Sequence, residues 1–198
     1  KSIASVSEIS TYERPINQHW SWDRILRSPY IKQADTLQAF YFFENDFSID
    51  ELEKHYDFYE PLTVHESSLS PCVHSIQASK LGRMNQAYEF YLQTSRLDLD
   101  DYNCEVHEGL HITSMAGTWM SIVEGFGGMR IKNGQLNFFP KIPKQWKSYS
   151  FKINFRGKIL KVSVEHKKFS FEVSGDEPLT IIVNGQPTIV EPNYSIAS

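Results

Sequence analysis

The sequence runs to 198 residues, 40% of them hydrophobic and 14% aromatic, which is enough apolar material for one large or two small globular domains. A formal net charge of −4 with no block of like charges argues against a nucleic-acid binder held by counterion release. No apolar run is long enough to span a bilayer, and the opening KSIASVSEIS has neither an initiator methionine nor a basic-then-apolar leader, as expected of a piece that begins inside a longer protein.

In chain order, PYIKQADTLQAFYFF predicts a helix after Pro29, with Lys32 and Gln33 in its first turn. A lysine beside an amide can hold sugar hydroxyls or an anion, or it can simply belong to a solvated face. SIDELEKHYDFY follows as a second helix, where Ser48 and Glu51 have capping-box spacing.

The stretch HESSLSPCVHS, residues 65–75, is the densest polar cluster beside a predicted helix start. Ser70 and Pro71 signal that start and Gly82 its end. Glu66, Ser67 and Ser68 therefore fall at a helix N-terminus, where free N–H groups, the positive end of the dipole and two hydroxyls favour a phosphate or a carboxylate. Glu66 can serve there as acid, base or hydroxyl acceptor. The same residues can also form an ordinary solvated capping turn.

NQAYEFYLQTS carries Ala87, Phe90 and Tyr91 on one helical face. HITSMAGTWMSIVEGF is a last helix, rich in small residues where backbones can pack closely. His111 stands at its start beside Thr113 and Ser114, repeating the pattern of the first cluster, or acting as a capping or core histidine. Cys72, His74, Cys104, His107 and His111 are metal-ligating types, but Cys104 is isolated and no CxxC is present. No metal is expected, and the cysteines read as free thiols. Nor is there a GxSxG nucleophile motif.

After GFGGMR the apolar period changes to two. Phe151, Ile153 and Phe155 alternate with polar residues, as do Leu160, Val162 and Val164, then Phe169, Phe171 and Val173, then Leu179, Ile181 and Val183. Asn133-Gly134, Arg156-Gly157 and Asn184-Gly185 fall where hairpin turns need positive φ. The expected fold is α plus β, helices over residues 1–128 and an antiparallel β-sandwich of roughly six or seven strands over residues 129–198. The sandwich cannot cover every apolar helix face, so the chain is expected to be the C-terminal part of something larger, or to meet a partner that supplies further helices.

Three long motifs, INQHWSWDRILRSPYIKQADTLQAFYFF, FYEPLTVHESSLSPCVHSIQASKLG and GLHITSMAGTWMSIVEGFGGMR, resemble the C-terminal part of the maltose phosphorylases of glycoside hydrolase family sixty-five. Kojibiose and trehalose phosphorylases share the KQAD, HESSLS and HITSMAGTW cores. The resemblance implies the last helices of an (α/α)6 barrel followed by a β-sandwich. It also implies inverting conversion of maltose and phosphate into β-glucose 1-phosphate and glucose, with phosphate where inverting hydrolases hold a water.

By the same resemblance Lys32 and Gln33 are glucose-subsite residues, and Ser67, Ser68 and His111 are phosphate ligands. Glu66 occupies the position of the base in hydrolytic relatives, while the general acid is expected upstream, leaving this chain inactive by itself. Inorganic phosphate is a co-substrate and no cofactor is implied. The expected partners are a disaccharide, phosphate, the N-terminal remainder and a second copy in a cytoplasmic homodimer, with neither nucleic acid nor membrane. A hydrolase using Glu66 as base and a carbohydrate-binding module are the other readings.

Overall fold

In the computed structural model, which describes residues 3–14, 16–64, 67–101 and 106–192, helices fill the chain as far as Phe126 and strands follow. The chain divides into two compact units after Ser121. The helical unit opens with two short helices, α1 (Ile16–His19) and α2 (Trp22–Leu26), then α3 (Asp35–Phe42) and α4 (Ile49–Tyr59). The capping box of α4 forms as its spacing predicts. Ser48 Oγ accepts from the Glu51 N–H at 3.3 Å and Glu51 Oε2 accepts from the Ser48 N–H at 2.8 Å, so two otherwise unpaired donors are satisfied.

The next helix, α5 (Ser70–Lys80), is buried at every position from Ser70 to Ser79. It is followed by α6 (Met84–Ser95), α7 (Leu97–Asp100) and α8 (Ile112–Met120). A helix enclosed on all sides must find partners for its polar side chains, because leaving one unmatched costs about 1–3 kcal/mol. Several of those of α5 reach neighbouring backbones. Ser75 Oγ donates to Ala87 O of α6 at 2.8 Å, and Gln77 Nε2 donates to Leu37 O of α3. His74 lies between the rings of Tyr56 and Phe90, with centroids at 6.1 and 5.1 Å. Gly82, at φ +79°, then ends the helical run, as a C-terminal glycine should.

Small residues let α8 approach α5 and α6. Ser114 Oγ donates to Thr94 O at 2.7 Å. A Cβ added at Gly117 would stand 2.8 Å from Cys72 Cβ and 3.2 Å from Thr94 Cγ2.

A π-helical turn, Ser121–Phe126, leads to the strands β1 (Arg130–Lys132), β2 (Gln135–Phe138), β3 (Ser148–Phe155), β4 (Lys158–Glu165), β5 (Phe169–Val173), β6 (Leu179–Val183) and β7 (Gln186–Val190). They form two sheets, ordered β1-β2-β6-β7 and β3-β4-β5. Three hairpins close through the expected dipeptides, each with both residues at positive φ, for example Asn184 at 50° and Gly185 at 79°. The alternating residues Leu160, Val162, Val164, Ile181 and Val183 join Leu136, Phe138, Val173 and Val190 in one core shared by the two sheets.

Two expectations are corrected in this unit. The pairing is not antiparallel throughout, because β2 and β6 run parallel, with Asn137 opposite Ile182 and Phe138 opposite Val183. The whole of the other sheet intervenes between them, a connection long enough to permit the parallel pairing that a tight hairpin cannot make. Phe169, assigned to a buried face, is 44% exposed at the first position of β5.

The close approach at Gly117 yields a prediction. Gly117→Ala gains up to about 1 kcal/mol of helix propensity but overpacks Cys72 and Thr94, at a typical cost of about 1–3 kcal/mol. The variant should unfold at lower denaturant concentration than the parent protein. An equal or higher midpoint would show that α5 and α6 yield to the methyl group.

Candidate functional site

A two-segment extended pairing creates the first part of the site. Ile31 forms a parallel bridge with Thr63, its N–H donating to Leu62 O at 3.0 Å and its carbonyl accepting from the Val64 N–H at 2.9 Å. The chain after Ile31 therefore runs beside the chain after Thr63, and Gln33 meets Ser67. Ser67 Oγ donates to Gln33 Oε1 at 3.1 Å, and Gln33 Nε2 donates to Asp35 Oδ1 at 2.9 Å. With donors on one side and an acceptor on the other, the Gln33 amide has a single orientation that uses both groups. Ser67 Oγ also accepts from the Leu69 N–H at 3.2 Å. Ser68 is half-buried beside it and Lys32 is exposed. Glu66, with His65, lies outside the described residues.

Two local assignments change. Lys32 and Gln33 are not in the first turn of a helix, since α3 begins at Asp35. The backbone of Ile31 is engaged in the extended bridge, and a segment cannot be extended and helical at once. Ser70 does not cap α5 either: Leu69 is the N-cap residue and makes no side-chain cap. The Ser70 hydroxyl instead accepts from the buried Ala34 N–H at 2.9 Å, tying the start of α5 to the start of α3.

The second part of the site is the start of α8. His111 is its N-cap residue, as its position in the motif suggests, but its side chain does not cap the helix. Asp98 of α7 accepts from it twice, from the backbone N–H at 2.9 Å and from ring Nδ1 at 2.5 Å. The His111 ring N–H, together with the backbone N–H, holds the Asp98 carboxyl below the usual aspartate range. The two side chains are 14% and 19% exposed.

Sequence reasoning passed over Asp98, which sits in the acidic run RLDLDD. That run reads as a solvated stretch, yet each acid has its own task. Asp100 receives a bidentate Arg96 at 2.6 and 2.7 Å, and Asp101 Oδ1 accepts from the Val106 N–H at 3.1 Å. The Asp98–His111 contact spans thirteen residues and depends on how α7 meets α8, so no periodicity announces it.

Of the metal-ligating types, Cys72 is a free, buried thiol whose pKa is pushed up by burial, and Cys104 lies outside the described residues. Among the described residues no three His, Cys, Asp or Glu side chains gather, and no helix is long and apolar enough to cross a membrane. Trp146 is half-buried and packs edge-to-face with Phe126 and Tyr149, with ring centroids at 5.1 and 5.8 Å.

Residues 2–120 match the profile of the glycosyl hydrolase family 65 central catalytic domain, and residues 129–190 match that of the family 65 C-terminal domain. The chain belongs to glycosyl hydrolase family 65. Over 191 residues it is 50% identical to a family 65 relative, the maltose phosphorylase of Bacillus subtilis (strain 168), covering 96% of this chain and 25% of that protein. Over the same length it is 39% identical to the α,α-trehalose phosphorylase of Thermoanaerobacter brockii, again covering 96% and 25%. A solved structure named "Putative kojibiose phosphorylase from human microbiome" superposes with a TM-score of 0.89 at 43% identity, over 96% of this chain and 28% of that one. The chain thus spans about a quarter of the length of the curated relatives it matches.

The Ser70–Ala34 bond gives the prediction for this region of the family 65 fold. Ser70→Ala leaves the Ala34 N–H buried without an acceptor and should cost about 1–3 kcal/mol of stability. Thermal unfolding should report a lowered midpoint. An unchanged midpoint would mean that Ala34 finds another acceptor and that Ser70 does not set the approach of α3 to α5.

Proposed function

We propose that this chain is the C-terminal part of an inverting disaccharide phosphorylase, converting maltose and inorganic phosphate to β-glucose 1-phosphate and glucose. The observation that carries the reading is the Ser67–Gln33 hydrogen bond. It joins a residue proposed to bind phosphate with one proposed to bind glucose, and those two reactants must meet at a single carbon. In this reading residues 1–128 supply the last helices of an (α/α)6 barrel and residues 129–198 a β-sandwich domain.

Lys32 and Gln33 hold hydroxyls of the glucosyl unit. Ser67, Ser68 and His111 hold the phosphate, assisted by the N-terminal dipoles of α5 and α8. One phosphate oxygen forms a bond to the anomeric carbon as the glycosidic bond on the opposite face breaks, and a general acid protonates the leaving oxygen. Phosphate is already an anion, so it needs orientation and charge neutralisation more than a base. Glu66 then holds a sugar hydroxyl or a water near the phosphate. The acid belongs to the N-terminal remainder of the enzyme, and the present chain alone is inactive. The complete enzyme is a cytoplasmic homodimer that needs phosphate as co-substrate and no cofactor.

Maltose is supported as substrate by the 50% identity to the Bacillus subtilis maltose phosphorylase. Trehalose and kojibiose are the alternatives, with the same chemistry, because their phosphorylases match the same region at 39% and 32% identity.

The test is His111→Ala in the complete enzyme. Losing a charge-assisted donor costs about 1.5–3 kcal/mol of anion binding, roughly ten- to hundredfold in phosphate KM. The disaccharide KM should change much less. Equal effects on both substrates would contradict the assignment.

A further inference from the structure

Gln33 is held twice by the residue two positions on. The Asp35 N–H donates to Gln33 O at 2.8 Å, and Asp35 Oδ1 accepts from Gln33 Nε2 at 2.9 Å. Asp35 has no part in the reaction as proposed above. We propose that it is a positioning residue for glucosyl binding, fixing which end of the Gln33 amide faces Ser67 and which of its atoms are left for the sugar. The inference rests on the reading of Gln33 as a glucose-subsite residue.

A glutamine amide has a donor end and an acceptor end of nearly the same shape, so its neighbours decide which way it lies. Ser67 alone cannot decide. Its hydroxyl donates to Gln33 Oε1 at 3.1 Å, but a hydroxyl accepts as readily as it donates and would serve Nε2 equally well if the amide turned over. A carboxylate only accepts. Turning the amide would set Oε1 against Asp35 Oδ1, lone pair against lone pair, and lose the bond to Nε2. Asp35 therefore selects the orientation, and the Ser67 hydroxyl follows it.

That selection determines what remains for substrate. Of the two amide N–H groups one is given to Asp35, and of the two lone pairs on Oε1 one is taken up by Ser67. One donor and one acceptor are left, at fixed positions, to meet hydroxyls of the glucosyl unit. Without Asp35 the sugar itself would have to order this long side chain, at a cost to binding. Donation to a carboxylate also polarises the amide, which strengthens Oε1 as an acceptor.

A purely structural role predicts different behaviour. Asp35 is the first residue of α3, where an acid complements the helix dipole whatever Gln33 does. Direct binding of phosphate by Asp35 is ruled out by the sign of its charge. Its side chain is exposed, so removing it opens no cavity and the variants are expected to fold.

The experiment uses the complete enzyme with Asp35→Ala, Asp35→Asn, Gln33→Ala and the double variant Asp35→Ala/Gln33→Ala, measuring KM for disaccharide and for inorganic phosphate. Asp35→Ala should raise disaccharide KM roughly three- to tenfold, the penalty of immobilising one long side chain on binding. The phosphate KM should stay within about twofold. Asp35→Asn, which keeps an acceptor oxygen, should recover part of the loss. In the Gln33→Ala background Asp35→Ala should add nothing to disaccharide KM, since the effect passes through the amide.

An equal rise in both KM values, an unchanged disaccharide KM, or a full Asp35→Ala effect without Gln33 would leave Asp35 only its place at the helix start and overturn the inference, while Gln33 stands as a ligand. If Gln33→Ala leaves disaccharide KM unchanged, the reading of Gln33 fails and the inference falls with it. Should Asp35→Ala fail to fold, Asp35→Asn decides alone: a disaccharide-selective rise supports the inference, and a uniform rise or none overturns it.

Discussion

Burial of α5 on every side is the constraint on which the helical unit depends. Ser70, Ser75 and Gln77 cannot reach water from inside the packing, and each instead bonds the backbone of a neighbouring helix or its first turn. Those bonds set more than stability. The Ser70–Ala34 bond ties the start of α3 to the start of α5, and the Ile31–Thr63 bridge runs the two leading segments side by side. Gln33 then reaches Ser67 as a consequence of packing rather than of any local preference. The polar residues of α5 thus hold the candidate site in shape from below.

The same packing relates the two helix starts of the proposed phosphate site. Gly117 lets α8 pass against Cys72 in the first turn of α5. Ser67 and Ser68 lie five and four residues before Cys72, and His111 lies six before Gly117. At 1.5 Å of rise per helical residue, His111 is about 9 Å along the axis from that crossing. One oxyanion shared by Ser67, Ser68 and His111 requires the two helix starts to lie near a common point, and a crossing so close to both ends suits it. In the proposed phosphorolysis the nucleophile arrives already charged, so its orientation matters more than a base.

What the sequence revealed was local. The Ser48–Glu51 box, the Gly82 stop and the three positive-φ dipeptides each depend on a few adjacent residues, and the period-two apolar pattern marked the strands of the core. What it concealed depends on partners far along the chain. Ser70 looked like a cap because serines before proline usually are, but a buried amide 36 residues upstream claimed its hydroxyl. Lys32 and Gln33 looked helical until the Thr63 segment paired with Ile31. Parallel pairing of β2 with β6 follows from the crossover between them, which no strand pattern encodes. In the candidate site, the motifs marked Gln33, Ser67, Ser68 and His111, whereas Asp98 needed the meeting of α7 and α8 to be seen.

The central claim is that Gln33 and Ser67 belong to one continuous site in which sugar and phosphate binding share a hydrogen bond. A double-mutant cycle in the complete enzyme tests it most directly, with Gln33→Ala, Ser67→Ala and the pair assayed for phosphate KM and disaccharide KM. The account predicts that the two substitutions are non-additive by at least about 0.5 kcal/mol, the range expected of residues in direct contact. Additive effects, with each substitution altering one substrate alone, would contradict it.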